Sequence, residues 1–319
     1  MTVYNPEFDV NRQIEYSREL FESIIIIWRE RVNILVIGGT RFMGKHLVEE
    51  LVNRNHDVTI ATRGITKDNF QNGIKRLIIN RMNENSIKDV FKSTYFDIVY
   101  DSLAYSSNDI RILLDHINCN KYVAISSTAV YDIHFNTVEA DFDPMAKELK
   151  WCDRTDFSYA EIKRQAECAL FQKYAHINSV AVRFPFVIGQ DDYTKRLYFY
   201  VDHIMNQKPM YVDNYDKQMA FVRSDEAGKF LAFFATNHYV GPINGASDGT
   251  ISIKDISDYI ESKTGKRAVL SQDGEKAPYN VEKEYSIKTE IANDLGFYFT
   301  PLKMWIYDLI DSYIKELTV

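Results

Sequence analysis

The sequence predicts an α/β fold: a doubly wound parallel sheet with helices on both faces and a smaller, interwoven C-terminal lobe. Three observations predict it. A buried-strand pattern runs into a glycine turn, strand and helix patterns alternate as far as residue 131, and the pattern loosens after Gly189. Val32 to Ile37 is apolar apart from Asn33, which suits a strand covered on both faces. Gly38 and Gly39 then permit a tight turn and the close approach of a ligand. His46, Leu47, Val48, Leu51 and Val52 follow at helical spacing. The start of such a helix carries unpaired N–H groups and a positive dipole end, which attract a pyrophosphate. With a second strand at 57–62, this is a Rossmann-type βαβ unit in the spacing GxxGxxG, with Arg41 at the middle glycine position. A strand–turn–helix can be a mere connection, but the complete unit favours a nucleotide. Gly38, Gly39, Thr40, Arg41, Phe42, Met43 and Gly44 are the candidates to surround its phosphates.

The remaining elements follow in order. Residues 63–73 read as a polar loop, and Lys75 to Ile79 as a third strand ending at Asn80 and Arg81, which we place with the cofactor candidates. Ser86 to Phe91 reads as a helix, Phe96 to Asp101 as a strand, Asn108 to Ile117 as a helix and Lys121 to Ser127 as a strand. Residues 132–157 are polar and too long for a routine connection, so a functional loop, part of a lid, is expected there. Ser158 and Glu161 fit a capping box opening a helix that runs to Tyr174, and Ser179 to Phe184 reads as the sixth strand. The expected organisation is an N-terminal helical extension (1–31), a dinucleotide-binding domain (32–188) and a substrate lobe (189–319) that partly returns to the core.

Composition narrows the function. A net charge of −7 argues against general binding to a nucleic-acid backbone, which needs a basic face. Cys119, Cys152 and Cys168 lack CxxC spacing and the histidines lack metal-ligand spacing, which predicts a reducing, cytoplasmic setting and no metal. The apolar run Ile24 to Trp28 is short and follows acidic residues, so neither a signal peptide nor a membrane span is expected; Asn11 to Glu30 reads as an added helix.

Tyr159 and Lys163 stand at i and i+4 and share one helix face. An ammonium near a phenol stabilises the phenolate, so such a tyrosine can exchange a proton with a carbonyl or hydroxyl. Ser127 closes a strand at the sheet edge where ligands of open α/β folds sit.

These segments together resemble one family. GGTRFMG at 38–44, ISSTAVY at 125–131, YAEIK at 159–163, RFPFVIG at 183–189 and AFVRSDEAGKFL at 220–231 resemble the extended short-chain dehydrogenase/reductases, the NAD-dependent epimerase/dehydratase family. The resemblance implies Tyr159 as acid/base, Lys163 on the nicotinamide ribose and tuning Tyr159, and Ser127 orienting the substrate oxygen, with Ser126 as the alternate. It places Phe184 and Pro185 by the cofactor, and Arg183, Tyr193 and Arg223 by a substrate such as a nucleotide sugar. It also implies a homodimer through the two helices flanking the active site, for which Leu170, Phe171 and Tyr174 are either contacts or simply core. The GGTRF(I/M)G variant resembles a subgroup that includes plastid stem-loop RNA-binding proteins, so a cofactor-sensing or RNA-binding regulator is the alternative function. No acidic residue ends the second strand to hold the 2′-hydroxyl of NAD; Thr62 and Arg63 stand there, and with Arg41 they favour NADP over NAD.

Overall fold

The computed structural model describes residues 31–70 and 73–318, so the expected helix at 11–30 lies outside the described residues. The chain opens with β1 (Asn33–Ile37), α1 (Phe42–Asn53) and β2 (Asp57–Thr62), followed by β3 (Lys75–Ile78), α2 (Glu84–Phe91) and β4 (Tyr95–Asp101). Then come α3 (Ser107–Leu114), β5 (Asn118–Ser127), α4 (Tyr159–Cys168) and β6 (Asn178–Phe184). The later part adds β7 (Phe186–Ile188), α5 (Arg196–Met205), β8 (Met210–Tyr211), β9 (Phe221–Arg223), α6 (Ser224–Phe233), β10 (Gly241–Asn244) and α7 (Ile253–Thr264).

A parallel seven-stranded sheet runs in the order β10-β6-β5-β4-β1-β2-β3. The chain moves outward from β1 to β3, then returns to the other side of β1, so the order reverses between β1 and β4. The carboxyl ends of those two strands flank a crevice, the place where open sheets of this type bind ligands. β1 earns its central position by sequence: Ile34, Leu35, Val36 and Ile37 are all fully buried. A second core, formed by Tyr200, Phe221, Tyr279, Ile306 and their neighbours, belongs to the segments after Gly189. From that part of the chain β10 joins the main sheet beside β6.

Two local expectations are corrected. The helix expected to run to Tyr174 is α-helical only to Cys168; Ala169–Lys173 forms a π turn, in which the Tyr174 N–H reaches back five residues to the Ala169 carbonyl at 3.3 Å. Ser158 caps α4 by accepting from the Glu161 N–H at 3.3 Å, but the Glu161 carboxylate turns to Lys147 and Gln165 instead of completing the box. Of the two readings left open for Leu170, Phe171 and Tyr174, the structure gives the core: Leu170 and Tyr174 are buried with Phe171 packed against them.

Residues 143–154 are a strap laid over α3 and α4, rather than a lid. Gln172 donates to the Pro144 and Lys147 carbonyls at 2.6 and 2.7 Å, and Gln165 accepts from the Lys150 N–H at 2.6 Å. On α3, Ser107 donates to the Lys150 carbonyl at 2.8 Å and Asn108 donates to Asp153 at 2.7 Å, while the Arg111 guanidinium lies over the Trp151 ring at 5.3 Å. The helix faces from which the resemblance implied a dimer therefore carry this strap.

Candidate active site

The glycine turn sits at the crevice. Gly38 and Gly39 hold φ near +92° and +88°, a region that strongly favours glycine. A Cβ on Gly39 would come within 2.9 Å of Val36 and 3.0 Å of Val48, so the turn is also too tight for a side chain. Arg41, extended, is the N-cap of α1 and makes no side-chain cap, which leaves the helix start open to an anion. The buried Ser102 hydroxyl has no hydrogen-bond partner among the described residues and lies against Gly38, where a Cβ would stand 3.7 Å from it. An open helix start, a side-chain-free cradle and an orphaned hydroxyl together fit the phosphates of a dinucleotide.

About the same edge lie Ser127, Tyr159 and Lys163. The Ser127 hydroxyl accepts from the Ala129 N–H at 3.2 Å, and the Tyr159 side chain remains half exposed. Burial pushes the Tyr159 phenol above its ordinary value, and the neighbouring Ser127 hydroxyl opposes that rise. The sequence reading expected Lys163 to lower it. Instead the Lys163 ammonium is buried and donates to the Ala104 and Ile125 carbonyls, both at 2.8 Å, with its nitrogen 6.0 Å from the centre of the Tyr159 ring. Burial drives Lys163 down to about 8, opposed by the charges of Asp101, Glu167 and Asp109.

Several expected site residues lie elsewhere. Arg183 is fully buried; it donates to Glu167, with its shortest contact at 2.6 Å, to the Tyr131 hydroxyl at 2.9 Å and to the Glu139 and Phe142 carbonyls. Ser126 donates to the same Glu167 at 2.5 Å. Both are thus internal to the core rather than turned to a substrate. Arg81 is likewise buried and donates to Asp101 and to the Asp109 carbonyl, each at 2.6 Å, while Asn80 is exposed and caps a turn by accepting from the Met82 N–H. Phe184 packs on Phe230 in the core, and Pro185 is buried after it. Arg223 is bound by Asp225 and lines a separate cavity of about 410 Å³ with His46, Asp191 and Trp305, in which none of the Ser127, Tyr159 and Lys163 group takes part. Tyr193 is exposed and stands against the glycine turn, 5.8 Å from the Arg41 guanidinium and edge-on to Phe42. Thr62 accepts from the Gly64 N–H at 3.1 Å, and Arg63 is exposed with no ion pair among the described residues.

The sequence profile of the NAD dependent epimerase/dehydratase family matches residues 34–115, the stretch from β1 through α3. The chain is 28% identical over 155 residues to the chloroplast stem-loop binding protein of 41 kDa b of Arabidopsis thaliana, covering 42% of this chain and 41% of that protein. It is 23% identical over 268 residues to UDP-glucuronic acid decarboxylase 1 of the same plant, covering 76% and 61%. The matched region thus spans under two thirds of the length of either relative. The solved structure of UDP-glucuronic acid 4-epimerase from Bacillus cereus in complex with NAD superposes with a TM-score of 0.65 at 18% identity, over 90% of this chain and 99% of that one. The profile of the NAD dependent epimerase/dehydratase family thus matches the first part of the sheet, and the chain shares its fold with a solved epimerase. At this identity the structural likeness is one of fold, and the site must speak for the chemistry.

Three residues that the motifs did not point to lie beside the candidate site. Tyr105, just beyond the β4 edge, meets Tyr159 edge-on at 6.4 Å and lies 4.6 Å from the Lys163 nitrogen. Arg154, at the end of the strap, places its guanidinium 4.6 Å from the centre of that same Tyr105 ring. Arg196, at the start of α5, is half-buried over Phe186 at 5.7 Å, and its charge is felt by both Tyr159 and Glu282. Arg196 has no ion pair or side-chain hydrogen bond among the described residues. The available signal was positional: a cation opening an aromatic helix, with Phe199 and Tyr200 rather than an acid three and four residues after it.

Proposed function

We propose that this chain is a cytoplasmic NAD(P)-dependent enzyme that epimerises, dehydrates or reduces a nucleotide sugar or a similar carbonyl or polyol substrate. The observation that carries the reading is that Ser127, Tyr159 and buried Lys163 come together at the sheet edge, Lys163 being tied to the Ile125 carbonyl of the Ser127 strand and 6.0 Å from the Tyr159 ring, with the open glycine turn on the same edge. A bound nicotinamide supplies or accepts the hydride. The chain's own residues manage the proton: Tyr159 gives it to, or takes it from, the reacting oxygen, and Ser127 orients that oxygen. Lys163 faces the ribose side and keeps positive charge near the phenol. Arg196, lacking an acid of its own, binds the anionic part of the substrate. Arg63 and Arg41 hold a 2′-phosphate, which makes NADP the preferred cofactor.

Incubation with NAD or NADP and either UDP-glucose or UDP-glucuronic acid, with reduced-nicotinamide absorbance and products followed together, tests this. Turnover of a sugar nucleotide supports it. A bound dinucleotide that responds to no sugar nucleotide or carbonyl compound contradicts it. The match to a stem-loop binding protein favours a second reading, an RNA-binding regulator on the same scaffold. RNA affinity falling steeply with salt would support that reading; no binding at low salt would exclude it.

A further inference from the structure

The strap reaches the reacting pair through a single side chain. Arg154 donates to Asp109 through Nε at 2.9 Å and Nη2 at 3.2 Å, and Nη2 also donates to the Leu103 carbonyl at 2.8 Å. The same Asp109 carboxylate accepts from the backbone N–H groups of Tyr105 and Ser106, each at 3.0 Å. One ion pair therefore grips the turn 103–106 at both ends. That turn supplies the Ala104 carbonyl that holds the Lys163 ammonium at 2.8 Å. It also presents the Tyr105 ring, which lies 4.6 Å from both the Arg154 guanidinium and the Lys163 nitrogen and meets Tyr159 at 6.4 Å. The charges facing Lys163 come from three directions: Asp101 at the end of β4, Asp109 and Glu167 on the flanking helices, and Arg154 on the strap.

We propose that Arg154 is a positioning residue for the Tyr159–Lys163 pair, acting through the 103–106 turn. Its fork spans a carboxylate and a carbonyl at once, which a lysine ammonium at the same place does not reproduce. With the turn fixed, the Ala104 carbonyl sets the ammonium and the Tyr105 ring sets the phenol. The strap is then part of the site's supporting shell as well as a cover for α3 and α4. This inference rests on the enzyme reading above.

The test uses the full chain, NADPH as the binding probe and NMR of the Lys163 side chain, assigned by its loss in Lys163→Met. Arg154→Ala is expected to weaken NADPH binding by about tenfold. It should also raise the Lys163 titration midpoint toward that of an ordinary lysine, because the loosened turn admits water. Arg154→Lys, which keeps the charge and a folded strap, should move both readouts in the same direction. Trp151→Ala frees the strap from Arg111 without touching the turn and should leave both unchanged. Wild-type values in Arg154→Ala or Arg154→Lys, or equal shifts in Trp151→Ala, would overturn the positioning role. If the wild type binds neither NADPH nor NADH, the enzyme reading fails by itself, and the Lys163 midpoint still decides for or against the positioning role.

Discussion

Two groups of arginines show how this molecule divides its charge. Arg81, Arg154 and Arg183 are bound to Asp101, Asp109 and Glu167, inside or at the margin of the core. Arg41, Arg63 and Arg196 stand around the crevice and have no acidic partner among the described residues. Arg154 and Arg183 spend their donors on carboxylates and carbonyls of the chain, and Arg81 commits its Nη2 in the same way, its buried Nε and Nη1 having no partner among the described residues. A buried ion pair of this kind does little for net stability, yet losing one partner strands a charge. The second group's donors are uncommitted among the described residues, which is why the proposed function gives them to the cofactor and the substrate. An arginine's value to a ligand thus depends on what already satisfies it, and a motif does not report that.

Substitutions can break or sharpen this contrast. The largest effect on activity is expected at the phenol: Tyr159→Phe should lower turnover roughly 10²- to 10⁴-fold while dinucleotide affinity is kept. Stopped turnover together with lost cofactor binding would mean that the ring serves the pocket's shape rather than the proton. For the paired group the expected damage is to stability. Arg183→Met leaves Glu167 without its counter-charge and should cost about 3–5 kcal/mol in denaturant unfolding. A stable variant with impaired substrate affinity would return Arg183 to the site. For the unpaired group the effect is smaller and confined to binding. Arg196→Ala should raise the KM for a sugar nucleotide roughly tenfold, the loss of one charge-assisted contact, with unfolding unchanged. A shift in unfolding alone would show that Arg196 is structural.

The contrast also marks what the sequence could show. β1, the glycine turn and the Ser127 strand were legible because each is a local pattern: an apolar run, residues free of Cβ strain, a strand end. The i, i+4 spacing put Tyr159 and Lys163 on one helix, but the partners of Lys163 come from Ala104 and Ile125, 59 and 38 residues away. Its distance from the phenol was therefore not readable. Arg183, Ser126 and Arg81 were misplaced for the same reason. Their positions in motifs are local, whereas Glu167 and Asp101, which claim them, are brought in by the fold. The strap was legible as an unusually long polar connection. Its attachment through Gln165, Gln172, Ser107 and Asn108 depends on side chains that carry no distinctive spacing.

The most direct measurement compares the affinity of the wild type and Arg63→Ala for NADPH and NADH, read by fluorescence titration. The account predicts that the wild type binds NADPH more tightly, that Arg63→Ala weakens NADPH roughly tenfold, and that NADH affinity is unaltered. Equal loss for both, or a wild-type preference for NADH, would contradict a 2′-phosphate at Arg63 while leaving the enzyme in place. Failure to bind either dinucleotide would contradict the central claim that this crevice holds a nicotinamide cofactor.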